Sequence, residues 1–126
     1  MTILVDTSVF IDVLRGVEPA RSALEGAVRS SEHVIASVLT RLEVRAGVRA
    51  GEEDATERLL SAVNWVAVDE ALADEAGRLA ARYLRAHPGI DTVDYVIAAT
   101  ALARRATLWT KNVKHFPMIE GVVPPY

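Results

Sequence analysis

Cysteine is missing from this 126-residue sequence, which excludes a disulfide framework and a thiolate zinc site. No apolar run approaches the ~18–20 residues that a membrane span requires. The first residues read as a short strand, without the basic stretch and long apolar segment of a secretory leader, so the chain is expected to be cytoplasmic, with no membrane partner. There is no glycine-rich phosphate loop, and no serine stands in the context of a nucleophile elbow. The three histidines, His33, His87 and His115, lack metal-ligand spacing. His33 begins a strand, His87 precedes a proline in a loop, and His115 reads as part of a surface turn or else as a residue near the site. No linker, repeat or low-complexity segment divides the chain, whose length fits a single domain, 1–126, with a real core.

What is present is the composition of a soluble globule, 51% hydrophobic and 25% charged. The net charge of −3 does not advertise a nucleic-acid binder. Its distribution says more. Acid concentrates in Glu52–Glu57, Asp69-Glu70 and Asp74-Glu75, whereas Arg78, Arg82, Arg85, Arg104, Arg105, Lys111 and Lys114 turn the second half basic. A phosphate-binding face and a mixed solvated surface fit this pattern equally well.

The most informative stretch is Ile3-Leu4-Val5-Asp6-Thr7-Ser8. Three branched apolar residues predict a buried strand, and Thr7 or Ser8 is placed to cap a helix over Val9–Arg15 that Gly16 ends. A helix over Ala20–Arg29 follows Pro19, then a strand at His33–Ala36. Ser37 caps a helix running to Arg49, with Gly51 as its stop. Helix Glu52–Val63, strand Trp65–Val68, a long helix capped by Asp69, helix Val93–Arg105 opened by Asp91 or Thr92, and strand Thr107–Thr110 complete the pattern. Asn112–Phe116 reads as a turn or short helix. Val122-Val123 is a candidate last edge strand, with order ending at Pro124-Pro125. Strands separated by helices predict an α/β fold with a central, mostly parallel sheet of four to five strands. Asp6 then lies at the carboxyl end of a central strand, facing the crevice where such sheets bind ligands.

Two further carboxylates stand out. Glu43 shares a helical face with Leu39, Ala46 and Ala50. A charge in an apolar stripe must be paired, protonated or metal-bound; otherwise Glu43 is a stripe-edge residue paired with Arg41 or Arg45. Asp94 shares a face with Ile97, Ala98 and Ala101 in a helix apolar nearly all round. It reads either as an N-terminal dipole residue or as an inward ligand, and Asp91 is assigned the cap. Two carboxylates ~4 Å apart repel by about 4 kcal/mol at an effective dielectric of ~20, so a cluster of Asp6, Glu43 and Asp94 calls for a cation. All-oxygen ligation selects Mg²⁺ or Mn²⁺, with coordination positions left for water and a substrate phosphate. Asn112 and Ser8 are candidate supporting groups, as ligand or water-orienting residues, or else turn and cap residues. Arg41, Lys111 and Lys114 are candidate contacts to a nucleic-acid backbone, or else solvated surface.

Val5-Asp6-Thr7-Ser8, Arg41-Leu42-Glu43-Val44, Asp94-Tyr95-Val96-Ile97-Ala98-Ala99-Thr100-Ala101 and Thr110-Lys111-Asn112-Val113-Lys114-His115-Phe116 together resemble the PIN-domain family. Within it they resemble the VapC ribonuclease toxins of toxin–antitoxin pairs, over the whole chain and in order. The resemblance implies a three-layer α/β/α sandwich and a Mg²⁺- or Mn²⁺-dependent endoribonuclease acting on transfer or ribosomal RNA. It also implies a homodimer, held in a heterotetramer or larger assembly by a VapB-type antitoxin. Asp6, Glu43 and Asp94 match the family's acidic triad. Asn112 falls where some members place a fourth acid, which favours a one-metal site or a second ion recruited with substrate. Two other readings stand beside it. A haloacid-dehalogenase-type phosphatase would need a second aspartate where Ser8 stands. A PIN-like binding or regulatory module would act with its antitoxin and without significant cleavage.

Overall fold

The computed structural model describes residues 1–30 and 32–126. Four parallel strands, β1 (Thr2–Val5), β2 (His33–Ser37), β3 (Asn64–Val66) and β4 (Thr107–Trp109), form a sheet in the order β3-β2-β1-β4. Among the described residues six helices flank it: α1 (Thr7–Leu14), α2 (Glu18–Arg29), α3 (Val38–Ala46), α4 (Glu53–Ser61), α5 (Glu70–Tyr83) and α6 (Thr92–Arg104), with a 3₁₀ turn at Val113–His115. The expected α/β architecture with a central parallel sheet is therefore found.

The pleat creates the layers. Ile3, Val5, Val34 and Ala36 point to one face and pack against Phe10 of α1, Leu24 of α2, Val44 of α3 and Leu59 of α4. Leu4, Ile35 and Leu108 point to the other, against Ile97, Ala98 and Ala101 of α6. This alternation is the period of two that any strand imposes. It makes both faces of the strands apolar, as a parallel sheet covered by helices requires. Outside α6 lies α5, which contributes Leu72 and Ala76 to a third cluster with Tyr95, Val96 and Ala99. Every residue of α6 from Asp94 to Ala101 is buried, as its nearly uninterrupted apolar sequence predicts.

Several boundaries depart from expectation. Asp6 itself, not Thr7 or Ser8, caps α1 by accepting from the Thr7 N–H at 2.8 Å. The helix ends as expected, with Gly16 at φ +79° just past Arg15, a backbone state that glycine adopts without steric cost. Helix α3 stops at Ala46 with Gly47 as its C-cap, short of Arg49. Its buried residues are Thr40 and Val44, while Ala46 and Ala50 are exposed. The apolar stripe assigned to Glu43 is thus one residue out of phase, and Glu43 flanks the core face. Strand β3 ends at Val66 because Val68 leaves the sheet to pack on the α5–α6 cluster. Val122-Val123 forms no strand, so the sheet has four members among the described residues. The chain does not lose order at Pro124-Pro125. Tyr126 packs against the first core cluster and its hydroxyl donates to Asp12 at 2.7 Å.

Strand β1 lies between β2 and β4, with Ile3 opposite both Val34 and Thr107. The residues just beyond β1 and β4 therefore meet at the carboxyl edge of the sheet. The Asp6 N–H still donates to the Trp109 carbonyl at 2.9 Å, which fixes Asp6 beside Thr110. Among the described residues no helix is long and apolar enough to cross a membrane.

Candidate functional site

An open cavity of about 430 Å³ occupies that edge, and Asp6, Glu43 and Asp94 all line it. They arrive from the end of β1, the middle of α3 and the first turn of α6. The three acids singled out in the sequence therefore line one cavity, though among the described residues they do not form a group placed to hold a metal ion.

Each acid is held differently. Asp6 is 5% exposed. Its Oδ1 accepts from the Thr7 N–H, and its Oδ2 accepts from the Thr110 hydroxyl at 2.7 Å and from Ser8 Oγ at 3.4 Å. Glu43 Oε1 accepts from the Thr7 hydroxyl at 2.6 Å, so its partner is a cavity residue and neither Arg41 nor Arg45. Asp94 takes part in the cap of α6 and also lines the cavity. Asp91 caps α6 by accepting from the Asp94 N–H at 3.0 Å, and Asp94 Oδ2 accepts from the Asp91 N–H at 3.3 Å, a reciprocal capping box. The same Oδ2 lies 3.3 Å from His115 Nδ1, and the carboxylate still faces the cavity.

Burial pushes the Asp94 carboxyl up to about 6, with Asp91 and Asp6 adding like-charge repulsion. The Asp91 N–H and His115 oppose the rise without cancelling it. The charged form of Asp94 is thus disfavoured chiefly by its burial.

The supporting residues fall nearby. Ser8 donates to Asp6 and accepts from the Lys111 N–H at 3.1 Å. Asn112 lines the cavity, and its main-chain N–H donates to Thr110 Oγ1 at 3.0 Å. Lys111 also lines it, with its ammonium 2.8 Å from Asp12. Lys114 is exposed and lies outside the cavity wall, as does Arg41, whose guanidinium stacks 5.2 Å from the centre of the Trp65 ring.

Sequence reasoning missed or left open four participants. His115 lies in a partly exposed turn and also belongs to the cavity wall, because the 3₁₀ turn carries it back toward α6. Thr110 is fully buried and holds Asp6, and Thr7 holds Glu43. A signal was available for Thr7, a hydroxyl next to the acid that ends β1, but none for Thr110, whose strand end carries no acid. Asp12 lies one helical turn beyond Ser8, a spacing that puts both on one face of α1. Thr110→Val keeps the shape and removes the donor to a buried carboxylate, so it is expected to destabilise the fold by about 1.5–3 kcal/mol. Urea denaturation measures this, and a loss below about 0.5 kcal/mol would mean that water replaces the threonine.

Among the described residues no group of three or more acidic or histidine side chains is placed to hold a metal ion. The chemistry of the donor set nonetheless suits a hard cation: three carboxylates from separate elements, one of them a buried Asp94 whose charge its surroundings disfavour, with Asn112 and Ser8 lining the same cavity. Mg²⁺ typically uses only one or two protein carboxylates and keeps several waters.

Comparison with known proteins agrees with this geometry. A family model described as the PIN domain matches residues 3–118. Ribonuclease VapC19 of Mycobacterium tuberculosis is 48% identical over 123 residues, 98% of each chain. Ribonuclease VapC10 of the same species is 41% identical over 124 residues, 98% of this chain and 92% of that one. In a toxin–antitoxin complex from Klebsiella pneumoniae, one chain superposes with a TM-score of 0.82 at 32% identity, covering 98% of both.

Proposed function

The chain belongs to the PIN domain family, and from that premise we propose that it is a Mg²⁺- or Mn²⁺-dependent endoribonuclease, the toxin of a VapBC-type pair neutralised by a cognate antitoxin. The observation that carries the reading is the meeting of Asp6, Glu43 and Asp94 in one cavity. The relatives named ribonucleases and the toxin–antitoxin neighbour support the activity class and the partner. The substrate is RNA, with transfer and ribosomal RNA the targets that the family suggests. The active form is a homodimer in the cytoplasm.

Asp6, Asp94 and Glu43 would hold the cation, with Asn112 or Ser8 orienting water beside it. When bound, the cation lowers the pKa of water and offsets charge on the phosphoryl transition state. The protein's own contribution is preorganisation. Thr110 and the Thr7 N–H fix Asp6, the Thr7 hydroxyl fixes Glu43, and the Asp91 cap fixes Asp94. Each acid is already tethered to its own element, so gathering them around a cation requires small adjustments of held carboxylates rather than their recruitment from solvent. Hydrolysis at the P–O3′ bond would leave 5′-phosphate and 3′-hydroxyl ends.

The test is an RNA-cleavage assay on protein freed of antitoxin, with chelation and Mg²⁺ or Mn²⁺ rescue, followed by sequencing of RNA ends. Metal-rescued cleavage leaving 5′-phosphates is expected. Cleavage indifferent to chelation would overturn the metal role. Absence of cleavage with antitoxin binding intact would assign the chain to a binding or regulatory module.

A further inference from the structure

Three side chains that the proposed chemistry leaves unassigned meet at a single oxygen. Asp12 Oδ2 accepts from the Tyr126 hydroxyl at 2.7 Å and lies 2.8 Å from the Lys111 ammonium. Asp12 and Lys111 both line the cavity. Burial alone would raise the Asp12 carboxyl, but the Lys111 and Tyr126 bonds outweigh it and hold its pKa below the usual value. Tyr126 is not loose at its other end, since its ring packs against the first core cluster.

Lys111 is therefore fixed twice. Its main-chain N–H donates to Ser8, and its ammonium is tied to Asp12, one turn further along the same helix face. An ammonium has three donors, and Asp12 occupies one. A free lysine side chain loses rotamer freedom when immobilised. Here that loss is taken during folding, before any anion arrives. A half-exposed ion pair alone is a weak tether. The Tyr126 bond strengthens it by locking the carboxylate rotamer.

We propose that Asp12 and Tyr126 are positioning residues that hold the Lys111 ammonium at the mouth of the acidic cavity, where it binds a phosphate of the RNA backbone. The identity of that anion rests on the nuclease reading above. The device answers an electrostatic problem. A phosphate approaching three carboxylates is repelled, and a cation fixed on the rim supplies attraction without occupying the carboxylates themselves.

Tyr126→Phe is the sharpest probe, because it removes one hydroxyl and no charge. Lys111 and Lys114 are the only lysines in the sequence, so limiting acetylation read by mass spectrometry has an internal control. Lys111 should label more slowly than exposed Lys114 in the wild type, and Y126F should raise Lys111 labelling alone. For a short mixed-sequence single-stranded RNA, Y126F should raise KM about three- to tenfold with kcat nearly unchanged. In a Lys111→Met background the same change should add nothing, as coupled residues behave in a double-mutant cycle. Unchanged Lys111 labelling, or an equal Y126F effect in both backgrounds, overturns the proposal. Should the wild-type chain cleave no RNA, the nuclease reading falls, and the labelling ratio alone decides whether Asp12 and Tyr126 hold Lys111.

Discussion

Asp6→Asn is expected to lower RNA cleavage by at least about a hundredfold, the usual cost of removing a charged group that acts on a transition state. The protein should stay folded. An asparagine oxygen can still accept the Thr7 N–H, and Thr110 can reverse its hydroxyl to accept from the new amide. What disappears is a full negative charge directed at a cation. Glu43→Gln and Asp94→Asn should also lose activity, for the same reason. Glu43 is the least buried of the three, so E43Q is expected to be the mildest. Circular dichroism and melting curves separate lost chemistry from lost fold. Near-wild-type cleavage by all three folded variants would eliminate the carboxylate cavity as the active centre.

The layers of the fold were legible because binary patterns determine them. Ile3-Leu4-Val5 has no polar face, and it lies between two helical layers. The run from Tyr95 to Ala101 has hardly any polar face, and α6 is buried. The acids were legible for a related reason, since a carboxylate inside such patterns is costly without a partner. Phase was less legible. A helix of nine residues, α3, gives few turns from which to find its core face, and small alanines at 46 and 50 imitate an apolar stripe while lying exposed.

Residues that touch the site across long sequence separations were the least legible. Thr110 reaches Asp6 over 104 residues and Tyr126 reaches Asp12 over 114. No local period announces such pairs, because strand order and the return of the final segment create them. Ser8 and Asp12 were locally paired by spacing, but nothing in α1 signalled that a lysine from beyond β4 would lie across both. The consequence is a division of labour. Local pattern identifies which residues carry charge into the site. Topology supplies the hydroxyls and counter-charges that decide how each charge is held.

That division makes Asp94 the most revealing position for stability. Its carboxyl titrates near 6 in the folded chain, against about 3.9 when unfolded. The folded state thus binds this proton more tightly. Its favourable contribution is complete below about pH 4 and is lost as pH rises through about 6. The full difference would be worth about 3 kcal/mol, and water in the open cavity reduces it to about 1–2 kcal/mol. The α6 dipole favours an anion there by about 0.3–1 kcal/mol, so removing the charge leaves a net gain near 1 kcal/mol. Without metal at pH 7.5, Asp94→Asn should therefore melt about 3–6 °C above wild type, and the advantage should shrink toward pH 4. Mn²⁺ should reverse the ranking. At a hundredfold excess over its dissociation constant a bound ion stabilises the folded state by about 2.7 kcal/mol, and the variant forfeits this with its ligand. Melting curves over pH, with and without Mn²⁺, decide the matter. A metal-free variant less stable than wild type, yet stabilised equally by Mn²⁺, would show that Asp94 is a helix cap and no part of a cation site.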